Sequence, residues 1–285
     1  MSKLKIAIQK SGRLSENSHK LLEECGIKFF NGTSVLKTSA SNFPVEILFL
    51  RDDDIPQYVE QQVVDIGILG ENMVYEKNKD VAILEQLGFA QCRLSLAIPK
   101  EESYPGLGYF NHKKVATSYS RLLSEYFTKN GISAEIEEIS GSVEIAPGIG
   151  LADAVCDIVS SGSTLLTNGL REVTTILKSQ AVIISNKNLS EEKEKILNKF
   201  LFRIRAVKSA KENKYILLNA PESAIPGICK ILPGMKSPTI LPLAEKGWSS
   251  LHSVVKEDEF WERIDQLKTA GAEGILVIPI EKMIL

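Results

Sequence analysis

Histidine is scarce in this chain: among 285 residues only His19, His112 and His252 occur, and none of them lies in a motif. Catalysis or metal binding that depends on imidazole has little to work with. Cysteine is equally thin. Cys25, Cys92, Cys156 and Cys229 are scattered with no C-x-x-C pair, which argues against a zinc site or a disulfide framework. Cys92 has no histidine near it in sequence to activate a thiolate, so covalent catalysis is set aside. No apolar run approaches the roughly 18 residues that would span a bilayer. The apolar part of MSKLKIAIQKSGR is too short for a signal peptide. A cytoplasmic protein without membrane contact is expected. Lys and Arg number 34 against 36 Asp and Glu, a net charge of −2. With no basic field to hold nucleic acid, any phosphate must be bound locally.

What is present is an ordinary globular composition long enough for two or three domains. Residues 4–8 read as a buried strand, and Gln9-Lys10-Ser11-Gly12-Arg13 turns out of it. A helix follows, with Ser15 as its cap, Leu21, Leu22 and Cys25 on its apolar face, and Gly26 as its stop. Residues 45–50 form a second strand ending in Arg51-Asp52-Asp53-Asp54-Ile55-Pro56. There Asp53 or Asp54 caps a helix with Pro56 in its first turn. Three adjacent acids also suggest Mg²⁺, yet a helix cap with solvated neighbours accounts for them better, because magnesium usually takes one or two protein carboxylates. Residues 63–71 are a further buried strand running into a turn. Near residues 91–97 the chain crosses to a second lobe, which holds a strand (115–119), a helix (121–129), a strand (132–139) and a helix opening at Gly141. Residues 174–184 return as β structure, and 189–206 form a long amphipathic helix capped by Ser190. Beyond Lys214 the pattern changes to strand, helix, strand, strand, helix, strand (215–219, 225–232, 239–243, 250–255, 258–269, 274–280). That βαββαβ order is the ferredoxin-like one.

The chemistry is most readable in residues 144–173. Ala154-Val155-Cys156-Asp157-Ile158-Val159 suits a buried strand. Ser160, Ser161, Gly162, Ser163 and Thr164 follow, then Leu165, Leu166 and Leu170 at helix-like spacing. Small residues between a strand end and a helix start offer unpaired N–H groups and the positive end of the helix dipole to an anion. Gly162 lets the backbone approach, the hydroxyls add donors, and Asp157 is placed to accept from sugar hydroxyls. A carboxylate beside a phosphate cradle suits a sugar phosphate. An ordinary capping turn fits the same residues. The loop has neither the GK[ST] ending of a P-loop nor the spacing of a dinucleotide site.

The segment E-x(5)-G-x-A-D-A-x-x-D-I-V-x-S-G-x-T-L followed by NGL, spanning Glu144 to Leu170, resembles the motif of the ATP phosphoribosyltransferase family. QKSGRL resembles that family's N-terminal motif, and Asp65 to Glu71 its D-[IL]-G-[IV]-x-G-x segment. SPTI at 237–240 and IPIEKM at 278–283 resemble its long form. The resemblance implies a two-lobed α/β core of periplasmic-binding-protein type (lobe I, 1–92 and 185–210; lobe II, 93–184) with an ACT-like domain at 214–285. It implies transfer of phosphoribosyl from 5-phosphoribosyl-1-diphosphate to N1 of ATP with release of diphosphate, in the first step of histidine biosynthesis. Residues Ser160, Ser161, Gly162, Ser163, Thr164 and Leu165 would hold the 5′-phosphate and Asp157 the ribose. Mg²⁺ would carry the diphosphate, with Arg13 opposing charge on the leaving group. Arg51, Glu71, Arg93 and Glu144 would face ATP. Ser237 and Thr239 would contact histidine as feedback inhibitor, in a homo-oligomer (dimer or hexamer). One departure stands out: residues 31–42 carry only Lys37 as a base, where some relatives have an arginine, which puts a second cationic helper there in doubt. Two rival readings are a solute-binding module using the same cleft, and a single-lobed phosphoribosyltransferase, which usually has two adjacent acids where Asp157 stands alone.

Overall fold

The structure is a computed structural model describing residues 2–30 and 35–284. The chain divides into two compact units, Met1–Leu197 and Asn198–Leu285. The division falls inside a long helix.

The first unit holds two sheets. In chain order its elements are β1 (Leu4–Gln9), α1 (Arg13–Glu24), β2 (Lys37–Ser39), β3 (Val45–Leu50), α2 (Ile55–Glu60), β4 (Ile66–Gly70), α3 (Glu71–Lys77), β5 (Ala82–Gln86), β6 (Cys92–Pro99), β7 (Lys114–Thr117), α4 (Ser120–Lys129), β8 (Glu135–Glu138), β9 (Ala154–Val159), α5 (Ser163–Thr167), β10 (Leu170–Ser179) and β11 (Ala181–Ser185). The first sheet runs β2-β3-β1-β4-β11-β5 and the second β10-β6-β9-β7-β8. Strands β1, β3 and β4 are parallel, as are β7, β8 and β9. Continuous apolar runs such as Ile6-Ala7-Ile8 and Ile66 to Leu69 explain the central strands, since a parallel strand covered on both faces needs no polar alternation. All of these side chains are fully buried. Close packing also fixes Gly67, where an added Cβ would collide with Ile55 and press Ile184 at 3.3 Å.

The chain passes from the first sheet to the second between β5 and β6 and returns between β10 and β11. The two passages lie together, with Cys92 paired to Ser179 across the ladder. A single apolar cluster runs through both lobes, joining Ala7, Leu69 and Met73 to Leu94, Val115 and Leu123. Polar contacts reinforce it. Buried Asn72 of α3 donates from Nδ2 to Tyr119 Oη at 2.9 Å and accepts from Ser179 Oγ at 2.8 Å. The Glu76 carboxylate accepts from the N–H groups of Arg121 and Leu122, both at 3.0 Å. It thereby serves a helix N-terminus in the other lobe, where orphan donors need partners.

Several local expectations change. Ser15 is buried within α1, which starts at Gly12 (φ 91°) with no side-chain cap. Asp54 sits at the N-cap of α2 without a capping hydrogen bond. The helix expected from Gly141 is only a 3₁₀ turn, Val143–Ile145, because Pro147, Gly148 and Gly150 follow at once. The helix after the serine loop ends at Thr167, and Leu170 opens β10 instead. Gly169 at φ 72° turns the chain between them.

Helix α6 (Glu191–Glu212) begins in the first unit and continues into the second. There follow β12 (Asn213–Pro221), α7 (Ile225–Ile231), β13 (Thr239–Pro242), β14 (Trp248–Lys256), α8 (Glu257–Thr269) and β15 (Glu273–Pro279). Their sheet runs β13-β14-β12-β15 with every neighbour antiparallel, the ferredoxin-like arrangement. Ile228, Leu232, Phe260 and Leu267 of the helical side pack on Ile216, Leu218 and Leu251.

Candidate active site

Strand β9 delivers Asp157 and the serine loop to the carboxyl edge of the second sheet. Ala154, Val155 and Cys156 are fully buried and anchor the strand. Beyond Val159 the chain turns through Gly162 at φ 83°, a left-handed conformation that a Cβ would strain. Ser161 and Ser163 place their Oγ atoms 2.9 Å apart, and Thr164 is exposed beside them. Leu165 is buried against Val159 and Leu170, so this residue fixes the loop's backbone while the hydroxyls stay accessible. Asp157 is half-buried. Burial pushes its carboxyl up to about 6, the nearby Glu144 carboxylate adds to this, and the hydrogen bond from Ile158 N–H (2.8 Å) opposes it.

Two openings of about 660 and 600 Å³ lie along these strand ends. The first joins Lys10 and Ser11 after β1, Arg51, Asp52 and Asp53 after β3, Lys77 of α3, Ser118 after β7 and Glu138 to Ser140 after β8. The second joins Glu71, Cys92, Arg93, Ser160 and Ser179. Both open at carboxyl ends of strands, where open α/β sheets usually bind ligands. Burial raises the Asp52 carboxyl, and Asp53 adds to the effect. Burial likewise raises the Cys92 thiol, which keeps it from acting as a thiolate.

The expected residues are thus partly gathered. Arg51 borders the first opening, while Glu71, Arg93 and Ser160 share the second. Glu71 also accepts from Tyr75 Oη at 2.9 Å. Arg13 is exposed at the first position of α1, beside Ser11 and Gly12. Arg93 is engaged: it pairs with Glu172 through Nε (2.5 Å) and Nη2, and donates from Nη1 to the Ser160 carbonyl at 3.1 Å. In the second unit, Ser237 and Thr239 are exposed, Ser237 Oγ donates to the Pro238 carbonyl at 3.3 Å, and Thr239 pairs with His252. Within the segment that lacks the arginine, residues 31–34 lie outside the described residues. Sequence reading missed Glu172, Asn72, Tyr119, Ser179 and Glu76. Tyr119 precedes α4 and the others lie in a strand or helix; none belongs to a motif, and only tertiary pairing reveals them.

Two α/β lobes, with exposed hydroxyls on a glycine turn beside a half-buried carboxylate at a strand end, are the framework of a two-lobed α/β protein with a loop suited to an anion. The ATP phosphoribosyltransferase family model matches residues 51–206, and the model for the HisG C-terminal domain matches 210–282. An ATP phosphoribosyltransferase of Cytophaga hutchinsonii is 59% identical over 281 residues, covering 99% of this chain and 98% of the relative. The solved ATP phosphoribosyl transferase (HisG:HisZ) complex from Thermotoga maritima contains a chain with TM-score 0.61 and 28% identity, covering 71% of this chain and 98% of that one. A histidine kinase sensor domain with similarity to periplasmic binding proteins shares the fold at TM-score 0.51 and 11% identity, covering 73% and 90%. This chain belongs to the ATP phosphoribosyltransferase family, in its long form with a C-terminal domain. It is a pentosyltransferase that joins the phosphoribosyl group of 5-phosphoribosyl-1-diphosphate to ATP, the first step of histidine biosynthesis.

Proposed function

We propose that residues 160–165 hold the 5′-phosphate of 5-phosphoribosyl-1-diphosphate and that Asp157 holds its ribose hydroxyls. The observation that carries this assignment is Gly162 at φ 83° between β9 and α5, with the Ser161 and Ser163 hydroxyls on the loop and Asp157 three residues before it. The transfer passes through an oxocarbenium-like centre, so positioning and charge stabilisation are what the protein must supply. Arg13, exposed at the first position of α1, opposes charge on the departing diphosphate. Arg51 and Glu71, each bordering an opening, serve the ATP side, with Glu144 on the flank of Asp157. Among the described residues no group of three or more His, Cys, Asp or Glu is arranged to hold a metal. Magnesium needs only one or two carboxylates beside phosphate oxygens, and Asp52 and Asp53 border the first opening. Mg²⁺ would therefore come with the diphosphate and neutralise its charge.

The C-terminal domain is read as a histidine sensor, with Ser237 and Thr239 as contacts. Exposed Ile240, Leu241, Leu276 and Ile278 on its outer strands support a homo-oligomer, dimer or hexamer. Among the described residues no helix is long and apolar enough to cross a membrane; a cytoplasmic site, where ATP is available, suits the reaction. The phosphate-loop assignment is tested with Gly162→Val, which forces a β-branched residue into positive φ. Calorimetric titration with 5-phosphoribosyl-1-diphosphate should show severe weakening with the fold intact. Unchanged affinity would overturn the assignment.

A further inference from the structure

The geometry points to Glu172 as a positioning residue for the phosphate loop, acting through Arg93. This inference rests on the reading of residues 160–165 as the 5′-phosphate site. Glu172 lies on β10 at a register irregularity between Glu172 and Thr174, and such bulges re-aim side chains. Its carboxylate accepts from Arg93 Nε and Nη2, from Ser95 Oγ at 2.8 Å and from Thr175 Oγ1 at 3.3 Å. Ser95 is fully buried, so the acceptor is fixed from below. The Arg93 guanidinium beside it holds the Glu172 carboxyl below its ordinary range. Two of the guanidinium's nitrogens are thereby occupied, and the third, Nη1, donates to the carbonyl of Ser160 at 3.1 Å.

That carbonyl belongs to the peptide joining Ser160 to Ser161. A trans peptide is planar, with its C=O and N–H pointing in opposite directions. Holding the Ser160 oxygen against Arg93 therefore turns the Ser161 N–H away from it. The pair thus sets the direction of the first donor of the loop. An Arg93 engaged in this way acts on the sugar phosphate through the backbone, and ATP is left to other groups. A flexible lysine in its place can keep the charge but lacks the planar fork that meets both partners at once.

The test uses the full-length protein with Mg²⁺, measuring 5-phosphoribosyl-1-diphosphate affinity by calorimetry and the KM of each substrate in steady state. For Glu172→Gln we expect affinity for the sugar phosphate to fall about tenfold, the loss of one charge-assisted contact. The KM for ATP should stay within about twofold and the melting temperature within a few degrees. Arg93→Lys should show the same selective loss, and the double variant should be little worse than either single one, because both act along one chain of contacts. If Glu172→Gln does not fold, Arg93→Lys decides alone. A rise in the KM for ATP with sugar-phosphate affinity intact overturns the proposal and makes Arg93 an ATP contact. Unchanged affinity for both substrates also overturns it. Gly162→Val is run beside them. If it loses sugar-phosphate binding while the other variants keep it, the loop assignment stands and only the positioning role fails. If it binds normally, both fall.

Discussion

Lowering the pH should weaken sugar-phosphate binding through Asp157, and the structure gives the scale. Burial places its carboxyl at about 6 instead of the ordinary 3.8. If only the ionised carboxylate accepts from ribose hydroxyls, the apparent dissociation constant rises with the protonated fraction. Relative to pH 8 the penalty is about twofold at pH 6 and about tenfold at pH 5. The phosphate of the ligand titrates in the same range, with a second pKa near ~6, so wild type must be read against Asp157→Asn. The useful quantity is the ratio of the two affinities at each pH, measured by calorimetry from pH 8 to pH 5. The ratio should fall toward one as the pH drops through 6. Stability should move the other way. A carboxyl whose folded pKa lies above its unfolded value contributes stability that is present below the unfolded pKa and lost as pH rises through the folded one. At pH 8 the ionised, half-buried Asp157 therefore costs roughly 1–3 kcal/mol, and Asp157→Asn should unfold at higher denaturant concentration while binding ligand worse. A pH-independent affinity ratio would refute the assignment of Asp157 to the ribose. A less stable Asp157→Asn at pH 8 would refute the burial argument.

Three further outcomes are expected. Arg13→Ala should lower kcat by roughly a hundredfold or more, with a smaller change in KM, as expected for a group that acts on developing charge; normal turnover with poorer saturation would make it a binding residue. Gly67→Ala should destabilise the first unit by about 1–3 kcal/mol, because the new methyl meets Ile55 and Ile184; an unchanged urea midpoint would show that α2 can yield. Histidine at millimolar concentration should inhibit the intact enzyme, and Thr239→Val should blunt the effect; if the intact enzyme ignores histidine, the regulatory role fails, and if only the variant is unaltered, Thr239 drops out.

What the sequence makes legible is whatever repeats a local rule. The apolar runs of β1, β4 and β9 announce buried strands, and the small hydroxyl residues after β9 announce a tight polar turn. The order of elements after residue 213 is enough to name the ferredoxin-like arrangement. Short helices defeat the same reading. Leu165, Leu166 and Leu170 have helical spacing, yet Gly169 takes a left-handed turn and hands Leu170 to a strand. Ser15 looks like a cap, but Gly12 starts the helix earlier and buries it. The missed polar residues share another cause. Glu172 meets Arg93 across 79 positions and Asn72 meets Ser179 across 107, and no local pattern encodes a partner so far away. Arg93 shows the consequence, since its pairing with Glu172 could not be read from the residues around either one.

The arrangement of the first sheet also constrains how the chain must be made. Strand β11, residues 181–185, lies between β4 and β5, and among the described residues β5 joins the sheet through it. The whole second lobe is therefore synthesised between β5 and the strand that holds β5 in place. Until residue 185 has emerged, one edge of β4 has no partner and the apolar faces of Ile66, Ile68 and Leu69 lack part of their cover. An unpaired apolar strand is a template for pairing with other chains, and closure over so long a separation is slow. A chain interrupted before β11 is thus an aggregating species, and the first lobe completes its folding only after the second has been made.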